Sequence, residues 1–175
     1  MKNLYIILFA FFILFSACNK NKKNKNQNSA DYKTLNKTLE KVNKQLVASE
    51  DEQIESFIKR YNWKMKKTGT GLRYLIYKHG KGEKAEKGRI AKINYRVNLL
   101  NGDLCYSSKD KGPKEFVIGK GNVESGLEQG ILLLKVGDKA KFILPSHLAF
   151  GLIGDQDKIP AKAALVYDIE LLELK

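Results

Sequence analysis

The chain has very few of the side chains that metal sites and covalent catalysis require. Its 175 residues include two histidines and two cysteines. The histidines, His79 and His147, are too few for a histidine-based metal centre, and the sequence contains no Cys-x-x-Cys pair. Cys105 has no base evident near it in the sequence, so we interpret it as a structural thiol. We therefore expect no metal ion and no other cofactor.

Motifs for phosphate, calcium and nucleic acids are also missing. Gly119-Lys120-Gly121 lacks the Gly-Lys-Ser/Thr spacing of a phosphate loop, and Asp155 with Asp157 offers too few ligands for calcium. The net charge of +13 is high, but five of the lysines precede Asp31. The others lie mostly on polar strand faces and in loops. Nucleic-acid binding requires basic residues clustered with aromatic ones, so it is not expected.

The N-terminus has the features of an export signal. A short charged start precedes the apolar run Leu4–Phe15, which is too short to span a bilayer comfortably. We interpret residues 1–17 as a signal peptide. The following Ser16-Ala17-Cys18 resembles the bacterial lipobox, and this resemblance implies a lipid on Cys18. The alternative is an ordinary secretory signal followed by an incidental cysteine.

A polar segment separates this signal from the rest of the chain. Residues 18–31 have no apolar side chain between Asn19 and Ser29, so the segment cannot bury surface and is predicted to be a disordered tether. Exported surface lipoproteins of related bacteria carry acidic residues just after the lipidated cysteine, whereas no acidic residue follows Cys18 before Asp31. A lipid anchor in the cell envelope that faces the periplasm is therefore favoured.

Residues 32–68 are predicted to form a helical arm of two helices. Apolar residues recur at helical spacing in both helices: Leu35, Leu39, Val42 and Leu46 in the first, and Ile54, Phe57, Ile58 and Tyr61 in the second. Ser49-Glu50-Asp51-Glu52 resembles a capping box that opens the second helix. Both apolar stripes need a partner. That partner is either the C-terminal domain, which we favour, or a second copy of the chain in a homodimer.

Residues 71–175 are predicted to form an α+β domain. Apolar and polar residues alternate between Ala91 and Leu99 with the period of a half-buried strand, and similar alternation precedes the C-terminus. One helix, from about Val123 to Leu133, carries Gly126 and Gly130 four residues apart, which allows close approach to a sheet. Mostly antiparallel strands covered by one helix define this fold class.

Three segments of this domain resemble FKBP-type peptidyl-prolyl cis-trans isomerases. They are IGKGNVESGLEQGI at 118–131, ILPSHLAFG at 143–151 and IPAKAALVYDIELL at 159–172. The resemblance extends from Gly71 to Lys175 and implies an antiparallel sheet half-wrapped around one helix. It is closest in detail to FKBP-type lipoproteins, some of which are gliding-motility-associated isomerases.

The same resemblance implies a pocket for proline-containing polypeptides. None of its residues would act as acid, base or nucleophile. Instead, apolar walls would desolvate the prolyl amide and favour its twisted state, against a barrier of about 18–20 kcal/mol. The Glu124 backbone amide would hold a substrate carbonyl. The implied substrate-binding residues are Tyr95, Cys105, Tyr106, Phe116, Val123, Glu124, Leu127, Phe150, Ile159 and Tyr167.

One position departs from the family pattern and leaves two functions open. Strongly catalytic members have Phe-Asp-Ser-Ser where this chain has Cys105-Tyr106-Ser107-Ser108, so the acidic residue is absent. The first function is a lipid-anchored prolyl isomerase that helps secreted or envelope proteins fold. The second is a binding module in an envelope complex, which holds proline-containing segments with little turnover. The isomerase is favoured.

Overall fold

The structure, a computed structural model, describes the backbone of residues 24–175 and the side chains from Tyr32 onward. The predicted signal peptide, the predicted lipidation site Cys18 and the first part of the predicted tether lie outside the described residues. The chain divides into two compact units, Met1–Leu46 and Val47–Lys175. Each unit is described by itself.

One long helix replaces the two helices predicted for the arm. Helix α1 spans Asn24–Arg60, so it begins inside the segment predicted to be disordered and continues through Ser49, where a new helix was predicted to start. No glycine or proline occurs between its two ends. Leu, Lys, Gln and Glu, which are good helix formers, dominate it. The capping-box pattern therefore lies in a helix interior, and the helical part of the arm ends at Arg60.

The first apolar stripe is exposed in the unit Met1–Leu46. Leu35, Leu39, Val42 and Leu46 are each between 41% and 52% exposed. These side chains have the spacing of one helix face, as predicted, but they are not buried. Packing of this stripe on the C-terminal domain, which we favoured for both stripes, stays a prediction.

The unit Val47–Lys175 contains a seven-stranded antiparallel sheet. Its strands run in the order β1-β2-β6-β7-β3-β4, and β5 pairs with β3. Two short helices, α2 (Ser108–Lys111) and α3 (Ser125–Ile131), lie between strands. The strands are β1 (Lys66–Lys67), β2 (Arg73–Lys78), β3 (Ile90–Leu99), β4 (Leu104–Ser107), β5 (Lys114–Val117), β6 (Lys139–Leu144) and β7 (Leu165–Leu174).

Helix α3 packs tightly against one face of the sheet because two of its four buried residues, Gly126 and Gly130, are glycines. A Cβ atom at Gly126 would lie 2.5 Å from Cγ of Leu144, and one at Gly130 would lie 2.4 Å from Cε2 of Phe142. Both distances are far shorter than van der Waals contact. The close approach predicted from the glycine spacing is therefore confirmed, although the helix is shorter than expected. This face carries the main core of the unit.

The opposite face of β6 and β7 is covered by the end of helix α1. Side chains alternate along a strand, so Ile143 and Val166 point away from the main core and form a second cluster with Ile54 and Phe57. The predicted packing of the second apolar stripe on the domain is confirmed for Ile54 and Phe57. Tyr61 remains half-exposed.

Charged groups also hold this helix end to the sheet. Arg73, which is almost fully buried, donates hydrogen bonds to the carboxylates of Asp51 and Glu55. Glu50 accepts hydrogen bonds from the backbone N–H and the hydroxyl of Ser146 at 2.7 and 3.1 Å. Residues 47–60 are thus part of the same compact unit as the sheet, whereas the predicted boundary lay near Gly71.

The predicted fold class is confirmed, with an antiparallel sheet, one covering helix and a helix before it. A search of the described residues finds no helix with the length and apolar character needed to cross a bilayer.

Candidate functional site

A cavity of about 590 Å³ opens between strand β3, helix α3 and two loops of the unit Val47–Lys175. Six of the ten residues singled out from the sequence line it: Tyr95, Tyr106, Glu124, Leu127, Phe150 and Tyr167. They come from strands β3, β4 and β7, from helix α3 and its N-cap, and from the loop after β6. Residues more than 70 positions apart therefore meet at one surface.

The other four residues lie in the core instead of the cavity wall. Cys105, Phe116 and Ile159 are buried in the cluster that contains Leu127 and Tyr167, and Val123 packs against it. None of the four lines the cavity as described. They support the lining residues from behind, and burial raises the pKa of the Cys105 thiol. Their assignment as contact residues stays a prediction.

The cavity also has lining residues that sequence reasoning missed. They are Ile93, Val97, Lys111, Gly112, Pro113, Asp155 and Asp157, and Lys114, which matches an aromatic wall position of the family, lines the cavity as well. Ile93 and Val97 could have been found, because they share the face of β3 that carries Tyr95. The two aspartates were considered only as calcium ligands. Their place beside Tyr106 depends on how the loop folds, which no local pattern indicates.

Tyr106 connects strand β4 to the loop after β6. Its hydroxyl donates to Oδ2 of Asp155 and, at 3.2 Å, to Oδ2 of Asp157. The hydrogen bond with Asp155 is the main reason that the pKa of Tyr106 is raised. The Lys111 ammonium lies 4.5 Å from the centre of the Tyr106 ring, and that of Lys158 lies 5.6 Å away, within cation–π range. The Tyr106 side chain is therefore held by hydrogen bonds at its hydroxyl and by cation–π contacts at its ring.

Asp155 places a carboxylate at the cavity although strand β4 has none. Its Oδ1 accepts hydrogen bonds from the backbone N–H groups of Asp157 and Ile159 at 3.0 and 2.7 Å. Burial alone would raise the pKa of Asp155, but the hydrogen bonds from Tyr106 and the backbone outweigh it and lower the pKa. Strand β4 thus has Tyr106 where the family pattern has an acidic residue, and the carboxylate beside Tyr106 belongs to the loop after β6.

A second carboxylate, that of Glu124, lies against the apolar wall of the cavity. The Tyr167 hydroxyl donates to Oε1 of Glu124 at 2.8 Å. Burial, and then the charge of Glu124, raise the pKa of Tyr167 well above its ordinary value, and the same two causes raise that of Tyr95. Oε2 of Glu124 is buried and has no hydrogen-bond partner among the described residues. Leaving such an atom unpaired costs about 1–3 kcal/mol.

The cavity lining combines aromatic and aliphatic side chains with charged ones. It has phenols, carboxylates and lysines, and none of its described residues is a cysteine or a histidine. Among the described residues, no group of three or more His, Cys, Asp or Glu side chains is placed to hold a metal ion. Aromatic and aliphatic walls with a polar rim are typical of a site that binds a ligand and orients it.

A second cavity of about 570 Å³ lies beside the first but is more polar in character. Its lining includes Asn94 and Arg96, which alternate along β3 with the residues of the first cavity. Tyr77 and Asp168, joined by a 2.7 Å hydrogen bond, also line it. It therefore provides an internal comparison for any binding experiment.

Comparison with known proteins places the fold and the site in one class. The family model for FKBP-type peptidyl-prolyl cis-trans isomerase matches residues 81–172. FK506-binding protein 2 of Dictyostelium discoideum is 47% identical over 90 residues, which cover 51% of this chain and 68% of the relative. The FKBP-type peptidyl-prolyl cis-trans isomerase FkpA of Aeromonas hydrophila is 41% identical over 112 residues, which cover 63% of this chain and 41% of that relative.

A solved structure agrees with these matches. The crystal structure of FkpA from Escherichia coli is similar with a TM-score of 0.65 at 27% identity, and the match covers 100% of this chain and 82% of that one. The fold is thus that of a prolyl isomerase domain preceded by a helix. The chain belongs to the FKBP-type peptidyl-prolyl cis-trans isomerase family. It spans less than half the length of the A. hydrophila relative.

Proposed function

We propose that this chain is a peptidyl-prolyl cis-trans isomerase that acts on proline-containing polypeptides and helps them fold. The observation that carries this proposal is the cavity itself. Tyr95, Leu127, Phe150 and Tyr167 line one hollow of about 590 Å³, and this hollow lies in a domain of the FKBP type. A proline ring and its neighbouring peptide groups fit such a wall without any reactive side chain.

The mechanism follows from what these walls do to a peptide bond. An amide loses its resonance when it twists, and its carbonyl then depends less on hydrogen bonds from water. Apolar walls around Leu127 and Phe150 therefore penalise the planar form more than the twisted one. Glu124 is the N-cap of α3. The first N–H groups of a helix have no acceptors within the helix. The backbone N–H of Glu124 can therefore donate a hydrogen bond to a substrate carbonyl.

A protease-coupled assay on a tetrapeptide with an Xaa-Pro bond tests this function. Uncatalysed exchange takes about 10–100 s, so even modest acceleration is measurable. Phe150→Ala removes part of the wall and should lower kcat/KM about tenfold, which corresponds to roughly 1.4 kcal/mol. Leu152→Ala is the matched control, because Leu152 belongs to the same loop, is 72% exposed and is outside the cavity lining. Equal loss in both variants would contradict the assignment.

The second candidate function is a binding module with little turnover. It is supported by Tyr106, which stands where strongly catalytic family members have an acid. Wild-type protein that binds proline peptides without accelerating their exchange would establish this alternative. Acceleration that is lost in Phe150→Ala would exclude it.

For the location of the protein, we propose a lipid anchor in the cell envelope that faces the periplasm. The support is the sequence alone, with a predicted signal peptide over residues 1–17, a lipobox-like Ser16-Ala17-Cys18 and no acidic residue between Cys18 and Asp31. Cys18→Ser should leave unprocessed precursor and abolish partitioning into the detergent phase. Normal maturation and partitioning of that variant would refute the proposal. We also propose that the chain belongs to the subgroup of FKBP-type lipoproteins that includes gliding-motility-associated isomerases.

For quaternary structure, we propose a homodimer formed through helix α1. The support is the stripe Leu35, Leu39, Val42 and Leu46, four exposed apolar side chains at helical spacing, because such a stripe is a typical helix-pairing surface. Light scattering should give twice the monomer mass for residues 24–175 and the monomer mass for residues 47–175. Leu39→Lys in the longer fragment should also give the monomer mass. A monomer at every length would contradict the dimer.

A further inference from the structure

We propose that the Glu124 side chain is a specificity-determining residue that favours lysine or arginine beside the bound proline. This inference rests on the proposed prolyl site and specifies which polypeptides it prefers. It concerns the side chain of Glu124, whereas the proposed isomerase mechanism uses only its backbone amide.

The first argument is the unequal pairing of the two carboxylate oxygens. Oε1 accepts the Tyr167 hydroxyl at 2.8 Å, and Oε2 is buried with no partner among the described residues. A buried acceptor without a donor is unfavourable. A ligand that brings a donor to this oxygen removes the penalty and is bound more tightly for that reason.

The second argument is that no cation of the cavity serves Glu124. The two lysines in the lining are Lys111 and Lys114. Lys111 lies over the Tyr106 ring, and neither lysine forms an ion pair with Glu124 within the described part of the chain. The lining has three acidic residues, Glu124, Asp155 and Asp157, although the whole chain has a net charge of +13. With three acidic residues and two lysines, the lining carries a net charge of −1, opposite in sign to that of the whole chain.

The third argument is reach. Glu124 lies at the N-cap of α3, where its amide would hold a carbonyl next to the proline. The side chain of a flanking residue then starts within a few bonds of the carboxylate. The terminal torsion of a glutamate is broad and two-fold, so a small rotation turns Oε2 toward the cavity while the carboxylate keeps Tyr167 as a donor. A lysine ammonium or an arginine guanidinium gives the charge-assisted bond that a neutral side chain cannot.

Peptides that differ only in charge test this inference. Four peptides place lysine or its neutral isostere norleucine directly before or directly after one proline. Their dissociation constants come from NMR titration of the 15N-labelled protein, and their exchange rates from cis–trans exchange spectroscopy on the same samples. For wild type we expect lysine to be favoured over norleucine by about tenfold at one of the two positions, a ratio that one charge-assisted hydrogen bond supports.

Two matched variants locate the effect. Glu124→Gln keeps the shape and an oxygen for Tyr167 but removes the charge, so the lysine-to-norleucine ratio should fall to about one. Glu128→Gln makes the same change one turn further along α3, where Oε1 of Glu128 accepts the Gly121 amide at 2.8 Å outside the cavity lining. Its ratio should stay at the wild-type value.

The outcomes separate this inference from the proposed function. A wild-type ratio near one at both positions overturns the inference by itself, even if Glu124→Gln does not fold. A lysine-to-norleucine ratio that stays at the wild-type value in Glu124→Gln also overturns the inference. The same holds if Glu128→Gln lowers this ratio as much as Glu124→Gln does. If Glu124→Gln weakens both peptides equally, the donor is a backbone N–H and the cationic preference is refuted. Failure of the isomerase proposal shows instead as unchanged exchange rates for all peptides, while the binding ratio still decides the role of Glu124.

Discussion

Phe57→Ala tests whether the end of helix α1 is an integral part of the unit Val47–Lys175. The Phe57 side chain is 6% exposed and belongs to the cluster of Ile54, Ile143 and Val166. Its ring centre lies 4.6 Å from that of Tyr61. Truncation of a buried phenylalanine to alanine costs about 3–5 kcal/mol. We expect about 3 kcal/mol, because one side of this cluster is a helix that can settle inward.

Urea unfolding of residues 24–175 measures that loss. With an m value of about 2 kcal/mol per M, the midpoint should fall by about 1.5 M. Lys37→Ala is the matched control on the same helix, because Lys37 is exposed and lies outside the apolar stripe, and lysine and alanine are both good helix formers. The midpoint of this control should change by less than about 0.3 M. If Phe57→Ala shifts the midpoint no more than Lys37→Ala does, the helix end is not packed on the sheet.

Three further changes address the site helix, the ion pairs and the loop. Gly130→Ala places a Cβ 2.4 Å from Cε2 of Phe142 and should lower the free energy of unfolding in urea by about 1–3 kcal/mol; an unchanged value would mean that α3 is not in close contact with β6. The pKa of Asp51 is lowered chiefly by its hydrogen bond with Arg73, so its stabilising effect is present above its ordinary value of 3.8 and is lost as the pH falls below it. Unfolding measured across that range should therefore show a smaller acid loss in Asp51→Asn, and an identical loss would exclude this pair. Tyr106→Phe removes the hydroxyl that two loop carboxylates accept and should speed amide hydrogen exchange in residues 155–159, whereas unchanged exchange would show that the tyrosine does not hold the loop.

Much of the fold could be predicted from the sequence because its signals are local. The alternation along β3 comes from a strand with one face in the core, and a period of two has no other common explanation. The close approach of a helix to the sheet at Gly126 and Gly130 could be predicted for a similar reason. Their spacing places both on one face of a short helix, and only a close neighbour makes two such residues necessary.

Other features depend on contacts that no local pattern specifies. The residues around Ser49 fit both the start and the interior of a helix. Because no glycine or proline separates the two predicted helices, one continuous helix forms and Ser49 lies in its interior. The two apolar stripes look alike in sequence, yet Phe57 meets Ile143 and Leu39 remains exposed.

The site was predicted in part for a comparable reason. A motif gives the identity of a residue but not what its side chain faces. Cys105 and Leu127 are both buried in the core, yet only Leu127 also lines the cavity. Asp155 reaches Tyr106 only because the loop is folded by its own backbone hydrogen bonds. The unpaired oxygen of Glu124 is likewise a consequence of packing, since the sequence shows a glutamate but not what surrounds it.

The proposed function requires that the cavity lined by Leu127 and Phe150 binds proline and speeds its isomerisation. The most direct test is cis–trans exchange spectroscopy of a proline peptide with catalytic amounts of 15N-labelled residues 24–175. We predict faster exchange, with peptide-dependent shifts at the amides of Leu127 and Phe150 and none at Tyr77 and Asp168 in the neighbouring polar cavity. Exchange at the uncatalysed rate, or shifts confined to Tyr77 and Asp168, would contradict this function.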